Sequence, residues 1–117
     1  MSILVEAKAS RSDFLADKNK LFRQYPEQGM GSFRYFICPK ELIMPADLPE
    51  KWGLVWVDGK GMTRQRVGPR GNIWTSDNWG PFLFKERNRR AEEQMMYSAL
   101  RRISNRGLLE NIYNKEY

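Results

Sequence analysis

The alternation of side chains at the start of the chain places the strongest constraint on its fold. Residues 3–8 read Ile-Leu-Val-Glu-Ala-Lys, and neighbouring side chains of a strand point to opposite faces. Glu6 and Lys8 therefore share one face, opposite the apolar side chains. The pattern predicts a first strand that ends near Ala9. A carboxylate beside an ammonium suits either a solvated charged face or a site for metal-assisted phosphodiester cleavage.

The remaining patterns predict one small α/β domain over residues 1–117, with α+β as the alternative. Ser10 is a suitable N-cap for a helix from Arg11 to Arg23, in which Asp13 and Asp17 are expected to be cap and surface residues. Further strands are predicted over 33–38, 53–57 and 62–67, and a long helix over 85–105. The expected architecture is a small mixed central sheet flanked by helices, with the Met95–Met96 pair of the long helix in the core.

Composition excludes several function classes. The chain has no histidine, which removes His-based acid–base catalysis, the Ser-His-Asp arrangement and His-ligated zinc. Its lone Cys38 allows no internal disulfide, which favours a reducing compartment. The first residues meet Glu6 too early for a signal peptide, and no apolar run approaches membrane-spanning length. We therefore expect a cytoplasmic protein with no membrane partner.

The basic charge lies in the second half of the chain. Residues 1–58 carry eight Lys/Arg and eight Asp/Glu, whereas residues 59–117 carry twelve Lys/Arg and six Asp/Glu, so the net charge of +6 arises there. Most of these cations are arginine, whose planar fork pairs with phosphate or carboxylate. The candidate binding residues are Arg64, Arg66, Arg70, Arg87, Arg90, Arg101 and Arg102. A polyanion, an acidic protein surface and plain solvation of a helix face all fit this pattern.

Two tryptophans follow the basic hairpin. Trp74 and Trp79 lie among polar residues and glycine, where exposed rings could stack on unpaired bases. The alternative is that they fill the seam between the sheet and the long helix, which is the commoner fate of tryptophan.

Three segments together resemble small prokaryotic and phage members of the PD-(D/E)xK nuclease superfamily. They read VEAKASRSDFLADKNK, FRYFICPKELIMPADLPEKWGLVWVDGKG and ERNRRAEEQMMYSALRRISNRG. In this resemblance Glu6 and Lys8 take the place of the E-x-K half of the motif. It implies that Glu6 is a metal ligand, that Lys8 acts on the nucleophilic water, and that the ion is Mg²⁺ or Mn²⁺.

The sequence departs from the family pattern at its start. The first acid of the motif normally lies on a strand before the E-x-K strand, and here only Met1 and Ser2 precede Ile3. We therefore expect a restriction-endonuclease-like core that lacks its N-terminal part. The second acid would come from elsewhere in the fold or from a partner chain in a homo-oligomer.

Two functions follow from the resemblance. The first is a nucleic-acid-binding, nuclease-like protein, with Mg²⁺-dependent phosphodiester hydrolysis if a second acid is supplied. The second is a non-catalytic, phage-encoded inhibitor of a host defence complex, similar in role to an anti-CRISPR protein. In that case the arginine face would bind a host protein target.

Overall fold

A four-stranded mixed sheet forms the centre of the protein. The computed structural model describes residues 1–73 and 80–114. The strands are β1 (Ile3–Ala7), β2 (Phe33–Pro39), β3 (Gly53–Val57) and β4 (Thr63–Val67), in the order β1-β2-β3-β4. The first three strands run parallel and β4 runs antiparallel to β3. The predicted small α/β fold with a mixed sheet is therefore confirmed.

Within the described residues, four helices accompany the sheet: α1 (Arg11–Ala16), α2 (Leu21–Gln24), α3 (Arg89–Asn105) and α4 (Leu109–Tyr113). Single 3₁₀ turns occupy Asp17–Asn19, Pro26–Gln28, Pro45–Asp47 and Gly80–Phe82. None of the helices within the described residues is both long enough and apolar enough to cross a membrane.

The predicted continuous helix from Arg11 to Arg23 is wrong, because the chain turns twice within it. Ser10 does cap α1, since its side chain accepts a hydrogen bond from the Asp13 amide. The helix then tightens at Asp17, and Lys20 is extended, with φ −70° and ψ 137°. Helical periodicity alone does not detect this interruption. It places residues before and after the break around the Asp17 carboxylate.

The core lies on the sheet face that α1 covers. Phe14 of α1 packs edge-on against Phe36 of β2, with ring centroids 5.2 Å apart. Phe36 also stacks on Trp52 at 4.3 Å. Cys38, Ile43, Leu54, Trp56 and Phe84 complete the buried cluster. Because alternate residues of β1 face this side, Glu6 and Lys8 lie at the border of the core.

Arg34 is a fully buried cation between the sheet and the loops below it. Its guanidinium donates to the carbonyl oxygens of Gly31, Pro26 and Gly29 and lies 3.7 Å from the centroid of the Phe84 ring. Burial lowers its pKa to about 10. These contacts join the start of β2 to the segment that leads into α3.

Helix α3 contributes little to the core, which contradicts the expected burial of the Met95–Met96 pair. These two side chains are 59% and 60% exposed, and α3 contains no buried residue. Asn88 caps the helix, and Glu92 ties its first turn to the sheet by bonds with Ser2 and Gly31. An apolar stripe predicts a helix but does not specify what covers the stripe.

Candidate functional site

A network of ionised side chains forms at the end of β1. Glu6 lies in β1 and Lys8 directly follows it. Asp17 and Lys20 come from the break after α1, and Arg23 comes from α2. Lys8 Nζ lies 3.1 Å from Asp17 Oδ1 and 3.8 Å from Glu6 Oε2. The structure thus brings together the two residues predicted from the E-x-K pattern and adds a second carboxylate.

Asp17 is the centre of this network. Its side chain is 2% exposed, and it accepts hydrogen bonds from Lys8, Lys20 and Arg23. The Lys20 Nζ–Asp17 Oδ1 distance is 2.7 Å. Burial by itself raises the pKa of Asp17, but the hydrogen bonds from Lys20, Arg23 and Lys8 outweigh it and hold the pKa below its ordinary value. The carboxylate is therefore ionised despite its burial.

Asp17 is buried, whereas the sequence predicts it at the surface. One signal could have found it: Asp17 follows Phe14 by three residues, and residues three apart lie on the same side of a helix. Phe14 is buried in the core, so the side chain of Asp17 points towards the sheet as well. Asp13, the other acid of α1, is 60% exposed and lies 3.8 Å from Lys8 Nζ.

The two carboxylates share their cations. Glu6 Oε2 lies 3.4 Å from Arg23 Nη2 and 3.8 Å from Lys20 Nζ, and both of these nitrogens also contact Asp17. Arg23 is held in place from its other side, because its guanidinium carbon lies 4.2 Å from the Trp52 ring centroid. Three cations thus contact two shielded carboxylates, and the exposed Asp13 beside Lys8 adds a third anion, so that the positive and negative charges of the network balance.

This arrangement does not fit Mg²⁺ or Mn²⁺ as it stands. Such ions take oxygen ligands and keep several bound waters. Here the space between Glu6 and Asp17 holds the nitrogen atoms of Lys20 and Arg23, and Lys8 is 7% exposed. No group of three or more Asp, Glu, His or Cys side chains within residues 1–73 and 80–114 is arranged to hold a metal ion.

A basic hollow lies at the opposite edge of the sheet. Arg64 of β4 lines a cavity of about 350 Å³ together with Lys40 and Trp56. Arg66 lies beside them, with its guanidinium carbon 4.7 Å from the Trp56 ring centroid. The Trp56 indole is oriented by its own hydrogen bond to the Ile43 carbonyl, at 2.8 Å. The hollow therefore combines cationic side chains and one carboxylate, that of Asp58, with a fixed aromatic ring.

The remaining predicted binding residues fall into three groups. Arg70 is exposed in the turn after β4, and Arg90, Arg101 and Arg102 are exposed on α3. Arg87 instead pairs with Glu92 at 3.1 Å, so it contributes to anchoring α3. Trp74 and Trp79 lie outside the described residues.

The arginines do not form one continuous patch. Helix α3 is tied to Ser2 beside β1, and its residues up to Ala99 line a groove with β1. Strand β4 is at the other edge of the sheet, three strand spacings away, or roughly 14 Å.

Comparison with known proteins identifies no relative of this chain: no protein-family model, curated protein or solved structure matches it.

Proposed function

We propose that this protein binds nucleic acid through the exposed arginines of its second half, with the β4 hollow as the principal contact. The proposal keeps the nuclease-like resemblance as an account of the scaffold. It does not depend on a completed catalytic site.

One observation carries the proposal. In the first half of the chain Lys8, Arg11, Lys20 and Arg23 all pair with carboxylates. In the second half, none of the eight exposed arginines has a carboxylate partner within the part of the chain that the structure describes. They are Arg64, Arg66, Arg70, Arg89, Arg90, Arg101, Arg102 and Arg106. Exposed arginines without carboxylate partners are available to phosphate oxygens.

The β4 hollow suits phosphate contacts better than base readout. Arg64 and Lys40 both line it, and Arg66 lies on the Trp56 ring. Trp56 is itself buried, so a base would have to displace Arg66 in order to stack on it. We therefore expect binding that depends little on sequence, because phosphate contacts carry no base information.

The Glu6–Lys8 cluster has a structural role in this proposal. Hydrolysis with Mg²⁺ or Mn²⁺ would require Lys20 and Arg23 to leave Glu6 and Asp17. Arg23 also packs on Trp52, which opposes that movement. We expect wild-type protein, Glu6→Ala and Lys8→Ala to give the same background level of cleavage when each is incubated with single- or double-stranded DNA and either ion.

Fluorescence anisotropy with labelled DNA and RNA of several sequences tests the binding proposal. We expect Arg64→Ala/Arg66→Ala to bind all sequences more weakly than the wild type does. Lys18→Ala/Lys85→Ala is the matched control, since it removes two exposed cations away from β4. Equal losses in both double variants would show that only net charge matters, and this would contradict a role for the hollow.

The second candidate function is a non-catalytic inhibitor that binds a host protein. The neutralised carboxylate pair favours this function, because Glu6 and Asp17 are paired with Lys20 and Arg23 and are therefore not free to bind a catalytic metal ion. The exposed arginines would then contact an acidic surface or a nucleic-acid groove of the target. A stoichiometric protein partner recovered from host lysate, together with no affinity for DNA or RNA, would favour this function.

A further inference from the structure

The two edges of the sheet differ in how they are protected. Natural sheets protect an edge strand with charges, bulges or covering segments, because bare edges pair with other strands. Strand β4 carries Arg64 and Arg66, and its register with β3 shifts between Leu54 and Val55. Strand β1 is regular over its whole length with β2 and has neither a bulge nor a proline, and its one charged residue, Glu6, faces the core side, where it pairs with cations.

The free side of β1 carries unpaired backbone groups. The Ser2 carbonyl accepts from the Phe33 amide at 3.1 Å, and the Lys8 amide donates to the Ile37 carbonyl at 2.9 Å. Backbone groups alternate along a strand, so those of Ile3, Val5 and Ala7 point away from β2. No other described residue hydrogen-bonds to them.

The outer face of this edge is apolar. The apolar side chains of Ile3 and Val5 are 43% and 53% exposed. Beside them lies a groove of about 580 Å³ between β1 and α3, which is lined by Met95, Met96 and Ala99 and, at its other positions on α3, by charged side chains. An exposed apolar face next to unpaired backbone groups is a typical strand-addition site.

We propose that β1 pairs with β1 of a second copy of this chain, antiparallel across a two-fold axis at Val5. In this register Val5 lies opposite Val5 of the second chain, and Ile3 lies opposite Ala7 of the second chain. Every outward-pointing backbone group of β1 is then satisfied. On the outer face only apolar side chains meet, which makes the strand complementary to itself.

The second copy fits this edge better than an unrelated strand does. An isologous contact uses the same patch on both chains and closes at two copies. The charged and bulged β4 ends the resulting eight-stranded sheet on both sides. One strand pair buries less than the roughly 1,200 Å² of a stable interface. In the dimer, additional apolar area would come from α3, whose exposed Met95 and Met96 line the groove beside β1.

Sedimentation equilibrium of the full chain tests the pairing. We expect a dimer, and we expect Val5→Lys to be monomeric because two ammonium groups would meet at the axis. Val5→Pro should also lose the dimer while keeping the β1–β2 ladder, since it removes only an outward amide. Met62→Lys, at an exposed apolar position in the β3–β4 turn, should stay dimeric. A wild-type protein that is monomeric at every concentration overturns the proposal.

Disulfide cross-linking tests the register of the β1–β1 pair by formation of a covalent dimer, so a variant that fails to fold cannot imitate the expected result. Opposed residues of a hydrogen-bonded antiparallel pair have Cα atoms about 5.5 Å apart, within disulfide range. Val5→Cys should therefore form a disulfide-linked dimer about tenfold faster or more than Met62→Cys under the same mild oxidation. Equal rates would contradict pairing at Val5. Neither result bears on nucleic-acid affinity, so this inference and the proposed function can fail separately.

Discussion

At the scale of single residues, Asp17 determines how the charges near β1 are arranged. It is almost fully buried and is contacted by three cations, whereas Asp13, on the preceding helix α1, remains exposed near Lys8. Removing one member of a buried ionic network leaves the others desolvated and unpaired. The two aspartates therefore offer a matched comparison.

We predict that Asp17→Asn lowers the free energy of unfolding by about 3 kcal/mol, because Lys8 and Arg23 lose a buried counter-ion. Asp13→Asn should change it by less than about 0.5 kcal/mol, as expected for an exposed pair. Urea unfolding followed by circular dichroism measures both values. Similar losses in the two variants would contradict the central position of Asp17.

The stability should also depend on acid pH through Asp17. Its pKa in the folded protein is below the ordinary value of 3.8, so the folded state releases this proton more readily than the unfolded state. The stabilisation is therefore fully present above the unfolded pKa and is lost as pH falls through the lower folded value. Unfolding measurements from about pH 6 down to pH 3 should show this decline. The decline should be shallower in Asp17→Asn, and identical slopes would contradict the assignment.

At the scale of elements, the sequence predicted the strands and helices that are determined by the local order of apolar and polar residues. The strands over 33–38 and 53–57 agree with β2 and β3 because runs of apolar and aromatic residues bounded by turn residues signal buried strands. The break after Asp17 was not predictable in this way, since it depends on contacts with Glu6 and Lys8 across the fold. The exposure of α3 was missed because its stripe does not specify a partner.

The exposure of α3 leads to a test of what stabilises the monomer fold. We predict that Met96→Gln changes the free energy of unfolding by less than about 0.5 kcal/mol when measured on the Val5→Lys background, which removes the proposed pairing. Phe36→Ala on the same background should cost about 3–5 kcal/mol, because that ring lies between Phe14 and Trp52. A large loss from Met96→Gln would mean that α3 packs on the monomer.

At the scale of the whole molecule, the two halves of the chain differ in how their charged side chains are paired. Lys8, Lys20 and Arg23 of the first half pair with carboxylates within the fold. The eight exposed arginines of the second half have no carboxylate partner among the described residues. The excess of basic residues in the second half of the chain is visible from the sequence alone. The sequence could not separate the arginines at β4 from those on α3, because that separation follows from the order of the strands.

The salt dependence of nucleic-acid binding tests the central claim most directly. Each phosphate neutralised on duplex DNA should lower log K by roughly 0.9 per tenfold rise in salt. We expect a steep slope for the wild type and a shallower one for Arg64→Ala/Arg66→Ala, while Lys18→Ala/Lys85→Ala keeps the wild-type slope. Absence of affinity for any DNA or RNA at low salt would contradict the claim, and so would a slope unchanged by loss of the two β4 arginines.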